Sequence, residues 1–421
     1  MKLTVLLWAL CCCSFAAEAQ FTGFGDLQWR FFAGGKCYSA PAIFNDLILV
    51  GNDAGALRAI NLADGKEKWR FQCGAIGTAP VVQEGKVFFG SYDGHYYALD
   101  AGTGTLIWRF ATGGESRIGA RGLWTMQPDS LYMTDLYDFF LSTPAVDDRR
   151  IYFGSSDGCI YALDKNSGLS VWKFQTGGKV HGGVTVHEGR AYAGSWDSNI
   201  YALDAVNGRE IWRFTTARDS VYHVLEGIQA TPLVSEGLVV IGSRDAHLYA
   251  LDAVTGALKW KYDAGNAWVS GSAIAAGDRL FVGTSDSYLM LALDAYTGRE
   301  IFRQHGGGYI FGAPAAAGNT ICYGDFTGRI RLLDKSTGKI LDTFDTPGRT
   351  QHAATVLNAS GKLDFMYSAA GKDPVRYSTN VAVMDLFYKL GPVTSAPVLH
   401  GNSMYFTCTD GYLYAVALKK E

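Results

Sequence analysis

Proline is scarce in this chain, at 10 of 421 residues, while glycine is abundant at 51. With 23 tyrosines and 23 phenylalanines beside it, that glycine reads as many short strands joined by tight turns rather than as low complexity. Charge of one sign is also lacking: the formal net charge is −3 with 18% charged residues, which excludes a nucleic-acid partner. Beyond the first twenty residues no apolar run approaches the roughly 18 needed to span a bilayer, so the mature chain is expected to have no transmembrane helix. The 48% of hydrophobic residues are ample for a core.

The N-terminus has the features of an export signal. Lys2 gives a short positive segment, Leu3 to Ala16 is almost wholly apolar, and Ala17-Glu18-Ala19 supplies a small-x-small cleavage pattern. The expectation is a signal peptide at 1–19, cleavage near Ala19, and a mature chain in the periplasm or secreted. Three of the eight cysteines lie in that segment, leaving Cys37, Cys73, Cys159, Cys322 and Cys408. Cys37 and Cys73 occupy similar loops, so a disulfide is one reading; single buried thiols are the preferred one.

Internal repetition dominates the rest. AINLADGKEKW ends at Trp69, ALDAGTGTLIW at Trp108, ALDKNSGLSVW at Trp172, ALDAVNGREIW at Trp212 and ALDAVTGALKW at Trp260, with weaker copies ending at Phe302 and Asp342. Each copy begins with small residues, as in Ser39-Ala40-Pro41 or Thr78-Ala79-Pro80. It continues through an apolar run to Gly-Ser-x-Asp-Gly, as at Gly90 to Gly94 and Gly154 to Gly158. Asp-Gly between apolar runs marks a hairpin, and Asp-x-x-Thr-Gly builds a second turn whose carboxylate takes backbone N–H groups. Each copy is therefore four antiparallel strands. Such a sheet cannot cover both faces alone, and radial stacking into an all-β propeller, with the Trp wedged between neighbours, solves that. The Trp, Asp and Gly of the repeat are read as structural.

The C-terminal copy, from Ser395, has three strands and lacks a Trp strand, whereas the mature N-terminus opens on an orphan one, Gln28-Trp29-Arg30-Phe31. Pairing strand 26–31 with the C-terminal blade closes the ring. Counting copy starts at Ser39, Thr78, Ser142, His181, Ala230, Gly271, Gly312, His352 and Ser395 gives nine, with the copy from His352 to Lys389 the most degenerate. Eight or nine blades remain open on that count. Two insertions break the period: a loop at about 111–141 carrying Arg117, Arg121 and Trp124, and a smaller one around Arg218 to Gln229 carrying His223 and Glu226. Both connect the last strand of one blade to the first of the next, where function concentrates on rigid scaffolds.

The A-x-D-x-x-x-G-x-x-x-W pattern, present in seven or more copies over 20–421, resembles the pyrroloquinoline-quinone-like propeller family. That resemblance implies eight blades, and two kinds of member. One is the quinoprotein alcohol dehydrogenases, marked by a vicinal disulfide beside the cofactor, Ca²⁺ held by Glu, Asn and Asp, and a catalytic Asp. The other is a non-enzymatic propeller lipoprotein that assists outer-membrane protein assembly. The only adjacent cysteines here are in 1–19, no oxygen-rich Ca²⁺ cage stands out, and there is no Cys-x-x-Cys-His. Cys11 to Cys13 follow Leu, Trp or another Cys, a poor lipid-acceptor context. The resemblance thus favours the assembly-protein branch.

The expected function is a binding or scaffold protein of the cell envelope, not an enzyme, with a quinone- and Ca²⁺-dependent alcohol or sugar dehydrogenase as the alternative. The expected partner is an envelope protein or a small polar ligand held by a monomer, with no assured cofactor. First strands line a propeller's channel, and His181 and His352 replace the small opening residue in two copies. Gln229 and Gln351 precede that position, as do Trp268 and Tyr309 in other copies. With Arg117, Arg121 and Trp124 they are the ligand-site candidates at one mouth. Two histidines with no third ligand make no metal site, and no catalytic residue is identifiable, since the repeat supplies Ser and Asp everywhere for turns.

Overall fold

In a computed structural model, which describes residues 21–217 and 227–420, the repeats fold as eight four-stranded antiparallel sheets. Blades 1 to 7 span 42–72, 81–111, 145–175, 185–215, 233–263, 274–305 and 315–345. Blade 8 joins both ends of the chain: the strand Phe21–Phe32 pairs antiparallel with Tyr412–Lys420, from Phe21 opposite Lys420 to Phe32 opposite Tyr412. The closing strand is thus longer than 26–31.

The turn before each Trp strand carries out three tasks. Its aspartate caps it: Asp252 Oδ1 accepts from Val254 N, Thr255 N and Thr255 Oγ1 at 2.9–3.1 Å. Hydrogen bonds from Thr255, backbone and side chain, bring the Asp252 carboxyl down to about 2. The carbonyl of the residue after that aspartate, or after Asn61 in blade 1, accepts the indole N–H of the preceding blade's tryptophan. Trp29, Trp69, Trp108, Trp172, Trp212 and Trp260 all do this, at 2.9–3.2 Å. Finally, the turn glycine provides a flat seat for that indole. A Cβ on Gly256, where φ is +73°, would lie 2.6 Å from Trp212 Cδ2. The tryptophan is therefore wedge and hydrogen-bond donor at once.

Around the axis the short first strands abut one another, which only small residues allow. A Cβ on Gly312 would meet the Ser395 carbonyl oxygen at 2.6 Å, and on Gly182 the Ala230 oxygen at 2.5 Å. Hydroxyls cross from blade to blade in this girdle: Ser39 Oγ to Thr78 O at 2.8 Å, Thr394 Oγ1 to Tyr38 O at 2.9 Å.

Blade number is eight, not nine. The copy counted from His352 is helical: α1 (Pro347–Val356), α2 (Phe365–Ser368) and α3 (Tyr377–Tyr388). Thr346 caps α1 through Arg349 N, and proline occupies its first turn. Thr379, Val383, Met384 and Phe387 are buried on α3, a spacing of helical rather than strand period. Neither the Thr-Gly turn nor a seated aromatic occurs there.

Cys37, Cys73, Cys159, Cys322 and Cys408 are all free thiols, so Cys37 and Cys73 are not joined. No helix of the described residues is long and apolar enough to cross a membrane.

The stacked seam makes a measurable demand. Trp212→Ala is expected to cost about 3–5 kcal/mol in denaturant unfolding. Gly256→Ala is expected to destabilise strongly in the native chain and much less in the Trp212→Ala background, because the clashing ring is gone. Equal costs in the two backgrounds would show that the glycine does not serve the indole.

Candidate functional site

Antiparallel order places the connections between blades at one end of the ring, together with the turns between second and third strands. Both the 111–141 loop and the helical segment 346–390 are such connections, so they rise over the same mouth of the channel. They meet there. Gln127 N donates to Val375 O at 2.9 Å, Tyr377 N to Gln127 O at 3.0 Å, and Thr134 Oγ1 lies 3.0 Å from Tyr377 OH. Beneath this lid, Phe139 stacks on Tyr38 at 5.1 Å and packs with Phe311, Phe326, Val383 and Phe387. The smaller connection's His223 and Glu226 lie outside the described residues.

The loop carries acid groups into the mouth, and the blades neutralise them. Asp135, Asp138, His181 and Arg244 are all at most 2% exposed. Asp138 Oδ1 is 2.9 Å from His181 Nδ1 and accepts from Gln229 Nε2 at 3.1 Å, while Oδ2 takes Ile118 N at 2.6 Å. Burial alone raises the Asp138 carboxyl, but the neighbouring His181, these hydrogen bonds and the Arg244 charge hold it below its ordinary value. Asp135 pairs with Arg244 at 2.6 Å, yet burial still lifts its carboxyl above the usual range. The Arg244 guanidinium lies over Trp268 at 3.8 Å and Trp196 at 4.7 Å from the ring centroids. Buried charges so compensated are tolerable; left single they would be costly.

His181 Nε2 also lies 2.8 Å from Ser156 Oγ, completing the sequence Asp138, His181, Ser156. It has the contacts of a Ser-His-Asp triad without the room for one. Glu115 Oε2 sits 2.7 Å from the same Oγ and takes Ser156 N at 2.9 Å, while Oε1 takes Ser155 Oγ at 2.7 Å. The donors an oxyanion needs are thus occupied by the chain's own carboxylate. This arrangement clasps the loop to blade 3.

The sequence candidates divide. His181 and Gln229 reach the channel mouth and line a cavity of about 170 Å³ among Ser39, Thr143 and Thr231. Arg117 lies under the lid among Tyr92, Tyr38, Tyr388 and the Asp138 carboxylate. Trp124, Trp268 and Tyr309 converge on a second pocket, of about 330 Å³. Trp124 is held there at φ +57°, a left-handed conformation that costs a side chain about 1–2 kcal/mol. Arg121 is exposed in the short hairpin Gly119–Arg121 with Tyr132–Thr134, away from both. His352 and Gln351 do not face the channel: they lie on α1, Gln351 exposed and His352 half-buried, because that copy is no blade. Sequence reasoning missed Glu115, Asp135, Asp138 and Arg244. Acidic residues inside a loop without the repeat's turn chemistry were the available signal.

A pyrroloquinoline quinone with Ca²⁺ does not fit these residues. Ca²⁺ asks for six to eight oxygen ligands, whereas Asp138, Asp135 and Glu115 are already engaged by His181, Arg244 and the Ser155-Ser156 turn. Among the described residues no three His, Cys, Asp or Glu side chains are grouped to hold an ion.

Asp138 sets a pH dependence. Its carboxyl titrates lower in the folded chain than in the unfolded one, so its stabilisation is present above the unfolded value and is lost as pH falls through the folded one. Asp135, shifted upward, opposes it in part. Asp138→Asn is expected to lose about 2–4 kcal/mol at neutral pH and to show a shallower fall in melting temperature toward about pH 3. An acid limb as steep as that of the unaltered chain would refute the assignment.

Comparison with known proteins agrees with this architecture. The family model described as outer membrane protein assembly factor BamB matches residues 22–135 and 156–420. The assembly factor BamB of Yersinia pestis is 28% identical over 159 residues, 36% of this chain and 37% of that protein. The dehydrogenase subunit of a quinone alcohol dehydrogenase from Gluconobacter oxydans is 27% identical over 155 residues, 32% of this chain and 19% of that one. The matched stretch thus spans little more than a third of the curated BamB relatives' length. The crystal structure of BamB from Moraxella catarrhalis superposes with a TM-score of 0.65 at 17% identity, covering 94% of this chain and 98% of that one. A europium-containing methanol dehydrogenase gives 0.64 at 15% identity, covering 93% of each chain, so fold alone does not separate the two kinds. The family match, which covers the ring from its closing strand to its last, does: this chain belongs to the BamB family of PQQ-like repeat propellers.

Proposed function

We propose that the chain is an exported scaffold of the cell envelope that holds a partner at its lidded mouth during outer-membrane protein assembly. The observation that carries this reading is the convergence of the 111–141 loop and the 346–390 helices on one mouth. There the loop exposes Leu131 and Tyr132 and α2 exposes Met366 and Tyr367, between 44% and 63% open. Scattered apolar residues are ordinary on a surface, but these four lie on two insertions that abut, and we take them as the docking face. The family membership, the export signal at 1–19 and the clasped, chemically closed Asp138–His181–Ser156 contact support a binding rather than a catalytic role. The mature chain, from about residue 20, is read as one periplasmic propeller domain acting as a monomer.

Capture from envelope extract tests this. The full mature chain is expected to retain outer-membrane β-barrel proteins or their assembly machinery, and Tyr132→Asp with Tyr367→Asp to reduce that recovery several-fold without altering the melting temperature. Recovery unchanged in the double variant, or in a chain lacking residues 113–138, would remove the lid's role. Pyrroloquinoline quinone with Ca²⁺ is expected to give no thermal stabilisation and no dye reduction. Finding both would replace the scaffold with the dehydrogenase.

A further inference from the structure

Beside the polar clasp, the seam between the two insertions and blades 6 and 7 leaves the 330 Å³ pocket, room for roughly ten heavy atoms. Its walls are aromatic. Trp124 and Tyr137 come from the loop, Trp268, Tyr309 and Phe311 from the blade starts, and Phe365 from α2. The rings of Trp124, Tyr137 and Trp268 lie 5.7–6.0 Å apart at mutual angles of 35–80°, so they form the sides of a box rather than a stack.

Besides two indole N–H groups and two phenol hydroxyls, the polar groups in that box are acceptors at Asp286 and Asn380. Asp286 is the one charged residue among its described lining, and it is exposed. Ser285 Oγ donates to Asp286 Oδ2 at 2.7 Å, and the backbone N–H of Asp286 also serves its carboxylate. Asn380 Nδ2 is occupied by the carbonyls of Pro374 and Arg376, both at 3.0 Å, which leaves its Oδ1 facing outward as an acceptor. The buried Arg244 pairs with Asp135 behind Trp268. The pocket therefore sets one carboxylate, which also feels the Arg244 charge from behind Trp268, beside electron-rich ring faces. An anion is repelled by that set, and a metal ion finds a single carboxylate where it needs several ligands. A cation with an apolar body satisfies every wall, since ring quadrupoles attract cations and the hydrocarbon part covers Phe311 and Phe365.

We propose that this pocket binds an organic ammonium group, its positive head set between Asp286 and the Trp124, Tyr137 and Trp268 rings. A free quaternary amine and the lysine side chain of a bound protein present the same chemistry. The site stands independently of the scaffold reading: cation binding without envelope capture sinks that reading alone, and capture without cation binding sinks this one.

Titration of the full mature chain, followed by tryptophan fluorescence and calorimetry, tests it with two cations, choline and N-acetyl-lysine methylamide. The neutral isostere of choline, 3,3-dimethylbutanol, serves as control. At least one cation is expected to saturate, with choline or the lysine derivative tighter according to the natural source. If choline saturates, it should bind about tenfold more tightly than dimethylbutanol. Asp286→Asn is expected to weaken the bound cation by about tenfold, and Trp124→Ala to do likewise. Should Trp124→Ala lower the melting temperature, the Asp286→Asn result decides alone. Saturation by neither cation, dimethylbutanol binding as tightly as choline, or Asp286→Asn leaving affinity unchanged would each overturn the proposal.

Discussion

Everything in this ring hangs on an indole laid against a glycine of the next blade. The contact requires a turn glycine without a Cβ, a carbonyl turned to receive the indole N–H, and an aspartate that folds the turn so that both are presented together. Burying one such side chain is worth about 2–3 kcal/mol, and the seam recurs from Trp29 round to Trp260. Where the recurrence stops, the reason is visible. Phe302 still packs against Gly338, but blade 8 takes its outer strand from the N-terminus and offers no such turn. There Asp342 replaces the aromatic and accepts from Phe24 N at 2.8 Å. The weak copy ending at Asp342 is thus the chemical mark of ring closure.

The opposite end of each blade is tied by a second, purely polar contact. Asp93, Asp157 and Asp197, from the Asp-containing turns between second and third strands, accept from Gly74 N, Gly113 N and Gly177 N of the preceding blade at 2.7–2.8 Å. The lid rests on that end. Its acid groups are matched by His181, Gln229 and Arg244, which the blades supply at positions where the repeat elsewhere places other residues.

Strand number, turn chemistry and closure were legible in the sequence because each repeats, and repetition lets seven weak signals reinforce one another. The segment from His352 leaves eight or nine blades open for the same reason: a count of starts extends the period through it, although Thr346-Pro347 and the spacing of Thr379, Val383 and Phe387 announce helices. Of the candidate site, His181, Gln229, Trp124, Trp268 and Tyr309 were found as departures from the repeat. Their partners were not, since Glu115, Asp135 and Asp138 occupy a unique loop whose path no periodicity constrains. The division of those residues into a polar clasp and an aromatic box depended on tertiary placement alone.

The two ties at opposite ends of each blade hold neighbouring blades together whatever the length of the connection between them. Its ends are already pinned, by Asp157 to Gly113 on one side and by the abutting first strands on the other. Lengthening such a pinned segment costs little, about 0.6 kcal/mol for each doubling. The ring can therefore accept new sequence over one mouth, fold it against what is already there, and acquire a different surface while its blade-to-blade seams stay as they are. The lid is, in that sense, an appendage whose growth the seams of the ring do not resist.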